Sequence, residues 1–251
     1  MRFENTEVMN FEGALRGMRN PKNSWERSDS SYCATSTNNC NTCLIRTGCT
    51  GSDKDIETKY IIGSNDMKLA QQLIRAGSEH RKFMRQIFVS VDITAPLYWW
   101  KEFDTYKVGT VANSTSTMHK LANTPITLEC FETDDYKEST CVTFCGGSQP
   151  LWHIYDALIE TCESLRKAYI ETKNKTYWKE LIRILPESWL QTRTVTMSYE
   201  NLLAMCSKGQ RRFHKLNEWS GQDDNTKPNF ISWARTLPYA QELIFIDEVE
   251  E

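Results

Sequence analysis

Residues 106 to 120 read YKVGTVANSTSTMHK, and five small hydrogen-bonding side chains, Asn113 to Thr117, follow one another there. Lys107 precedes them, and His119 and Lys120 follow. Hydroxyls and amides beside cations suit a phosphate-bearing ligand, because a phosphate dianion accepts several charge-assisted hydrogen bonds at once. A polar turn or a helix cap would use the same residue types. If a helix begins in the tract, its first backbone N–H groups add to the donor set.

A second basic spot lies near residue 211. Arg211 and Arg212 adjoin Lys208, His214 and Lys215. A guanidinium fork suits a phosphate, and also a helix end, where the helix dipole favours cations. His119 could titrate near neutral pH. Tyr98, Trp99 and Trp100 offer flat apolar surface for a ring-bearing ligand, or simply core. Cys33, Cys40, Cys43 and Cys49 are spaced C-x6-C-x2-C-x5-C. Four thiolates in a short polar stretch could hold zinc in a tetrahedral site and order a segment that lacks a core of its own. Reduced free thiols are the alternative.

The elements that must position these groups follow from periodicity. Apolar residues at 8, 9, 11, 14, 15 and 18 predict a helix over 7–18, stopped near Pro21. Residues 28 to 56 are small and polar and read as an insertion. A helix is expected over 65–76, capped by Asn65 and ended by Gly77. Ile87, Val89, Val91 and Ile93 alternate with more polar neighbours and predict a strand. Pro96 opens a short helix through PLYWWKEF. Trp152, Tyr155, Leu158, Ile159, Cys162, Leu165 and Tyr169 make one stripe of a helix over 150–172. A second helix covers 176–185. A third starts at the cap Ser198 and runs through YENLLAMCSKGQRRF. Residues 218–229 read as an exposed loop, and a last helix is interrupted at Pro238. Strands in the first half and long helices in the second predict an α+β fold, an antiparallel sheet flanked by long helices. One domain over 1–251 with a Cys-rich insertion at about 28–56 is expected.

Composition narrows the class. A net charge of −3 and a pI near 5.9 argue against a nucleic-acid protein held by backbone contacts. No apolar run follows Met1, and none approaches the roughly 20 residues needed to span a bilayer. The expected location is the cytoplasm, with no membrane partner. No glycine-rich dinucleotide loop and no Walker loop occurs.

The order of three segments resembles the flavin-dependent thymidylate synthases, in particular divergent relatives from phages and Gram-positive bacteria. GSEHRKFMRQIFVSVDITAPLYWWKEF (77–103) is similar to the family's glycine turn, strand and Ala-Pro helix start. YKVGTVANSTSTMHK occupies the place of the signature Arg-His-Arg, two residues, Ser, one residue, Asn-Glu, one residue, Ser, one residue, Arg. Asn113 and Ser116 match its Asn and second Ser. RILPESWLQTRTVTMSYENLLAMCSKGQRRFHKLNEW (183–219) is similar to the Leu-Pro segment and the nucleotide-binding helix. Without a gap, Tyr106, Lys107 and Val108 replace Arg-His-Arg, Ser114 replaces the Glu and Met118 the final Arg. A shift of one residue puts Tyr106 at the His and Lys107 at the last Arg.

The resemblance covers about residues 60 to 220. It implies reductive methylation of dUMP at C5, with methylenetetrahydrofolate as carbon donor and NADPH-reduced FAD as hydride source, in a homotetramer. It implies catalytic roles for Arg211 and Arg212. Asn113, Ser114, Thr115, Ser116 and Arg183 become expected substrate contacts, and Arg85, Tyr106, Lys107 and His119 expected cofactor contacts. The altered signature leaves open a related flavoenzyme acting on another pyrimidine nucleotide, or a non-catalytic nucleotide-binding homologue.

Overall fold

Alternation along 87–93 is realised as a strand whose inward residues, Val89, Val91 and Ile93, are completely buried, as is Ile87 just before it. In the computed structural model this strand is β4, and the residues described are 1–33, 60–116, 121–134, 141–144, 146–208 and 211–248. The elements are β1 (Arg2–Met9), α1 (Phe11–Arg19), β2 (Ser31–Tyr32), β3 (Tyr60–Ile61), α2 (Ser64–Arg75), β4 (Phe88–Pro96), α3 (Leu97–Phe103) and β5 (Val111–Ser114). They continue with β6 (Cys141–Phe144), β7 (Gly147–Pro150), α4 (Leu151–Thr172), α5 (Lys175–Ile184), β8 (Leu190–Ser198) and α6 (Tyr199–Met205). The last are α7 (Asn217–Ser220), α8 (Phe230–Arg235) and α9 (Ala240–Leu243). The fold is α+β, an antiparallel sheet with flanking helices. Four strands run in the order β1-β4-β8-β5, and β2–β3 and β6–β7 form two small antiparallel pairs.

The chain divides into two compact units. The first holds Met1–Arg2, Asp92–Thr105 and Asn113–Thr194; the second holds Phe3–Val91, Tyr106–Ala112 and Val195–Glu251. Boundaries between them fall inside each of the strands β1, β4, β5 and β8.

In the first unit, α4 buries Ile159 and Cys162 against Leu121, Ile126, Phe131 and the Leu181 of α5. The turn between the helices is set by Lys173 in a left-handed conformation (φ 56°) and by Asn174, whose Oδ1 accepts the Thr176 N–H at 3.0 Å. Glu163 takes two hydrogen bonds from Arg166, at 2.6 and 2.7 Å, and one from the Ile126 N–H at 2.8 Å. Those bonds, the Arg166 pair first, hold the Glu163 carboxyl down at about 2. Trp99, Trp100 and Phe103 are core, so the tryptophan cluster is packing rather than an exposed flat surface.

In the second unit, Phe11 meets Tyr199 and Tyr239 edge-on, each at 5.6 Å between ring centroids. Strand pairing takes residues 7–9, so the first helix starts only at Phe11, after Asn10 in the left-handed region. α2 begins at Ser64, and its cap is non-local: the Asp29 carboxylate accepts the Asn65 and Asp66 N–H groups at 2.9 and 3.2 Å. The helix expected through residue 213 stops at Met205. The expected loop 218–229 instead contributes α7, whose Trp219 is completely buried. Pro238 does separate two short helices, α8 and α9.

Candidate functional site

The second unit brings a cation, a half-buried tyrosine and a turn together on α6. Ser198 and Asn201 form a reciprocal cap: the Asn201 N–H donates to Ser198 Oγ at 3.2 Å, and the Ser198 N–H to Asn201 Oδ1 at 2.9 Å. Asn201 then spends its amide donor outside the helix, on the Val108 carbonyl at 2.6 Å. That bond ties residues 106–110 to the start of α6. Within the segment the Thr110 N–H and Oγ1 both donate to the Lys107 carbonyl, at 2.9 Å each. Gly109 occupies the third turn position with φ +80°, which a side chain would resist.

At the other end of α6, Arg211 donates from Nη1 to the Ala204 carbonyl at 2.9 Å, one of the helix's last acceptors. Its guanidinium carbon lies 4.7 Å from the centre of the Tyr106 ring. The Tyr106 ring lies 5.5 Å from that of Trp219, and His214 lies 5.7 Å from Trp219 on another side. His214 Nδ1 accepts the Leu216 N–H at 3.1 Å. Among the described residues neither Arg211 nor Lys107 forms an ion pair. Beside them Val108 and Phe213 leave 85% and 52% of their surface exposed.

Arg212 behaves differently. Only 5% of it is exposed. Its Nε donates to the Cys206 carbonyl at 2.8 Å, Nη2 to Asp247 at 2.6 Å and Nη1 to Glu248 at 2.8 Å. Arg235 donates to the same Glu248 carboxylate at 2.7 and 2.8 Å. Arg235, and then Arg212, hold the Glu248 carboxyl below the usual carboxylate range. Arg212 is therefore a structural tie, and Arg211 is the member of the pair with donors to spare.

The other expected site residues are scattered. Arg85 sits on a 3-10 turn and, among the described residues, reaches only the Ser78 carbonyl, at 3.4 Å. Residues 111–114 are the edge strand β5, and among the described residues of the hydroxyl tract, Asn113 to Ser116, no helix starts. The Thr115 N–H is spent on the Thr192 carbonyl at 2.9 Å, and the Thr115 carbonyl accepts from Gln191 at 3.0 Å. Backbone donors for an anion are thus absent at that position, whereas the side chains of Asn113, Ser114 and Thr115 are exposed and Ser116 is half-buried. Arg183 pairs with Glu180 one turn earlier on α5, at 2.5 Å, and is largely solvated.

His119, Cys40, Cys43 and Cys49 lie outside the described residues, and Cys33 is the one proposed ligand among them. No group of three or more His, Cys, Asp or Glu side chains that could hold a metal occurs among the described residues. No helix among them is long and apolar enough to cross a membrane.

Two partly buried arginines escape a reading by motif. Arg81 donates from Nε to both Glu200 oxygens, at 3.1 and 2.9 Å. Arg193 lies 4.2 Å over the Trp100 ring and donates to Asp104 at 3.1 Å and Gln191 at 3.0 Å. Arg193 has a sequence signal: it falls two residues after Gln191 on β8, hence on the same face.

No protein-family model matches the chain, and no curated protein is similar to it. Solved structures are. The flavin-dependent thymidylate synthase ThyX from Helicobacter pylori, complexed with FAD and dUMP, superposes with a TM-score of 0.56. Identity is 15%, over 98% of this chain and 99% of that one. A second structure of the same enzyme with FAD and dUMP gives 0.56 at 13% identity, over the whole of both chains. The fold is that of these enzymes. Among the described residues Arg211 and Lys107 are cations outside any ion pair, and the Tyr106 ring lies beside Arg211.

Proposed function

We propose that the protein is a flavin-dependent, thymidylate-synthase-like enzyme acting on dUMP. The observation that carries this is the Arg211–Tyr106 pair, a guanidinium held by Ala204 and the tyrosine ring yet without a carboxylate partner among the described residues. Such a group binds a phosphate or a uracil carbonyl and stabilises charge that develops as C5 reacts. Lys107 adds a second cation on the same turn, as a point charge rather than a fork. FAD, reduced by NADPH, would supply the hydride, and methylenetetrahydrofolate the carbon. Tyr106, Lys107 and Arg85 are the second unit's proposed cofactor contacts. Asn113, Ser114, Thr115 and Ser116 are the first unit's proposed substrate contacts; Arg183 is less suited, because Glu180 already engages it.

Replacing C5–H by C5–CH3 releases the proton at C5. Tritium release from [5-3H]dUMP tests the reading. It should require the folate donor, NADPH and FAD together, and fall sharply in Arg211→Ala. No release with all components present would overturn it.

One observation favours a neighbouring reading, a flavoenzyme for another pyrimidine nucleotide. Tyr106, Lys107 and Val108 stand where the thymidylate synthase signature has Arg-His-Arg. A panel of pyrimidine nucleotides in a thermal-shift assay separates the two, since the true substrate raises Tm most.

A further inference from the structure

The segment that carries Arg211 is held from the C-terminal side by two carboxylates that no motif singles out. Asp247 takes the Arg212 guanidinium on Oδ1 and the Lys208 N–H on Oδ2, at 2.6 and 3.1 Å. Glu248 takes Arg212 and Arg235. The Arg212 N–H itself returns to the Ser207 carbonyl at 3.3 Å, and its Nε to Cys206. Both Arg212 and Arg235 lie over Phe245, at 5.2 and 4.1 Å, so the three-residue turn Ile246–Glu248 is seated as a unit. Two guanidinium charges meet two carboxylates, and the network closes on itself. Arg211, the next residue along, stays outside that balance.

We infer that Asp247 and Glu248 are positioning residues for Arg211. They fix its backbone through Arg212, and by saturating Arg212 and Arg235 they leave Arg211 as the cation that an anionic nucleotide meets. This rests on the proposed role of Arg211. Without the two carboxylates, Lys208 and Arg212 lose their anchor, and ligand binding must then bear the cost of ordering Arg211.

The test is dUMP binding by calorimetry to the full chain with FAD present. The variants are Asp247→Asn with Glu248→Gln, Arg211→Ala, and all three together; Asp247→Asn alone serves if the double change prevents folding. The carboxylate changes should weaken dUMP binding about tenfold in the native background and less than about twofold in the Arg211→Ala background, since residues that act through one another are non-additive. An equal loss in both backgrounds would mean a general effect on stability and overturn the inference. So would no loss in the native background. If Arg211→Ala binds dUMP as well as the native protein, the reading of Arg211 fails first, and the inference with it.

Discussion

Arg211 and Arg212 are adjacent in sequence, and alanine should affect them in opposite ways. Arg212→Ala strips three hydrogen bonds and leaves Asp247 and Glu248 without their guanidinium. Removing one partner of a buried ion pair costs about 3–5 kcal/mol. Here the carboxylate side chains are 33% and 29% exposed. Glu248 also keeps Arg235. A loss of about 2–4 kcal/mol follows after solvent screening, or about 5–15 °C in Tm for a chain of this size. Arg211→Ala removes one hydrogen bond to Ala204 and one ring contact, both at the surface, for about 1 kcal/mol. Thermal and urea unfolding followed by tryptophan fluorescence measures both. Arg211→Ala as destabilising as Arg212→Ala, or Arg212→Ala melting with the native protein, would refute the assignment of tie and ligand group.

Three further outcomes are expected. Glu163 is held at about 2, so its contribution is present above its unfolded value and lost as pH falls through the folded one. It is bounded by ~3 kcal/mol and screened to ~1–2; Glu163→Gln should therefore flatten the fall in stability between about pH 5 and pH 2. Asn201→Ala loses half the α6 cap and the bond to Val108; a cost of about 1–2 kcal/mol and faster proteolysis near residue 108 should follow. Burial pushes the Cys162 thiol up to about 11 and the Cys206 thiol higher still. Exposed Cys141 should react with a thiol reagent in the native protein, and those two only on unfolding, as read by mass spectrometry.

What periodicity could reveal, it did: β4, α4 and α5 each carry a local apolar pattern, and each forms close to its expected span. The departures share a cause. The cap of α2 comes from Asp29, more than thirty residues earlier, and no local window contains it. The helix expected through residue 213 ends at Met205, and beyond it Arg212 is engaged by Asp247 and Glu248, which no local window contains. The polar run around Trp219 reads as loop, although the indole is buried against Phe230. In the hydroxyl tract the Thr115 N–H and carbonyl are both taken by residues of β8, which the local sequence does not show. At the candidate site, sequence narrowed the choice to Arg211 and Arg212. Only burial and partners separate them, because the carboxylates that engage Arg212 lie 35 and 36 positions away.

The central claim is that this chain holds a flavin and puts it to work on a deoxyuridine nucleotide. Mixing the pure protein with FAD, desalting it and recording its visible spectrum before and after adding dUMP tests that most directly. Retained flavin absorbance whose bands shift on adding dUMP is the predicted result. A colourless protein after desalting, with and without dUMP present throughout, would contradict it.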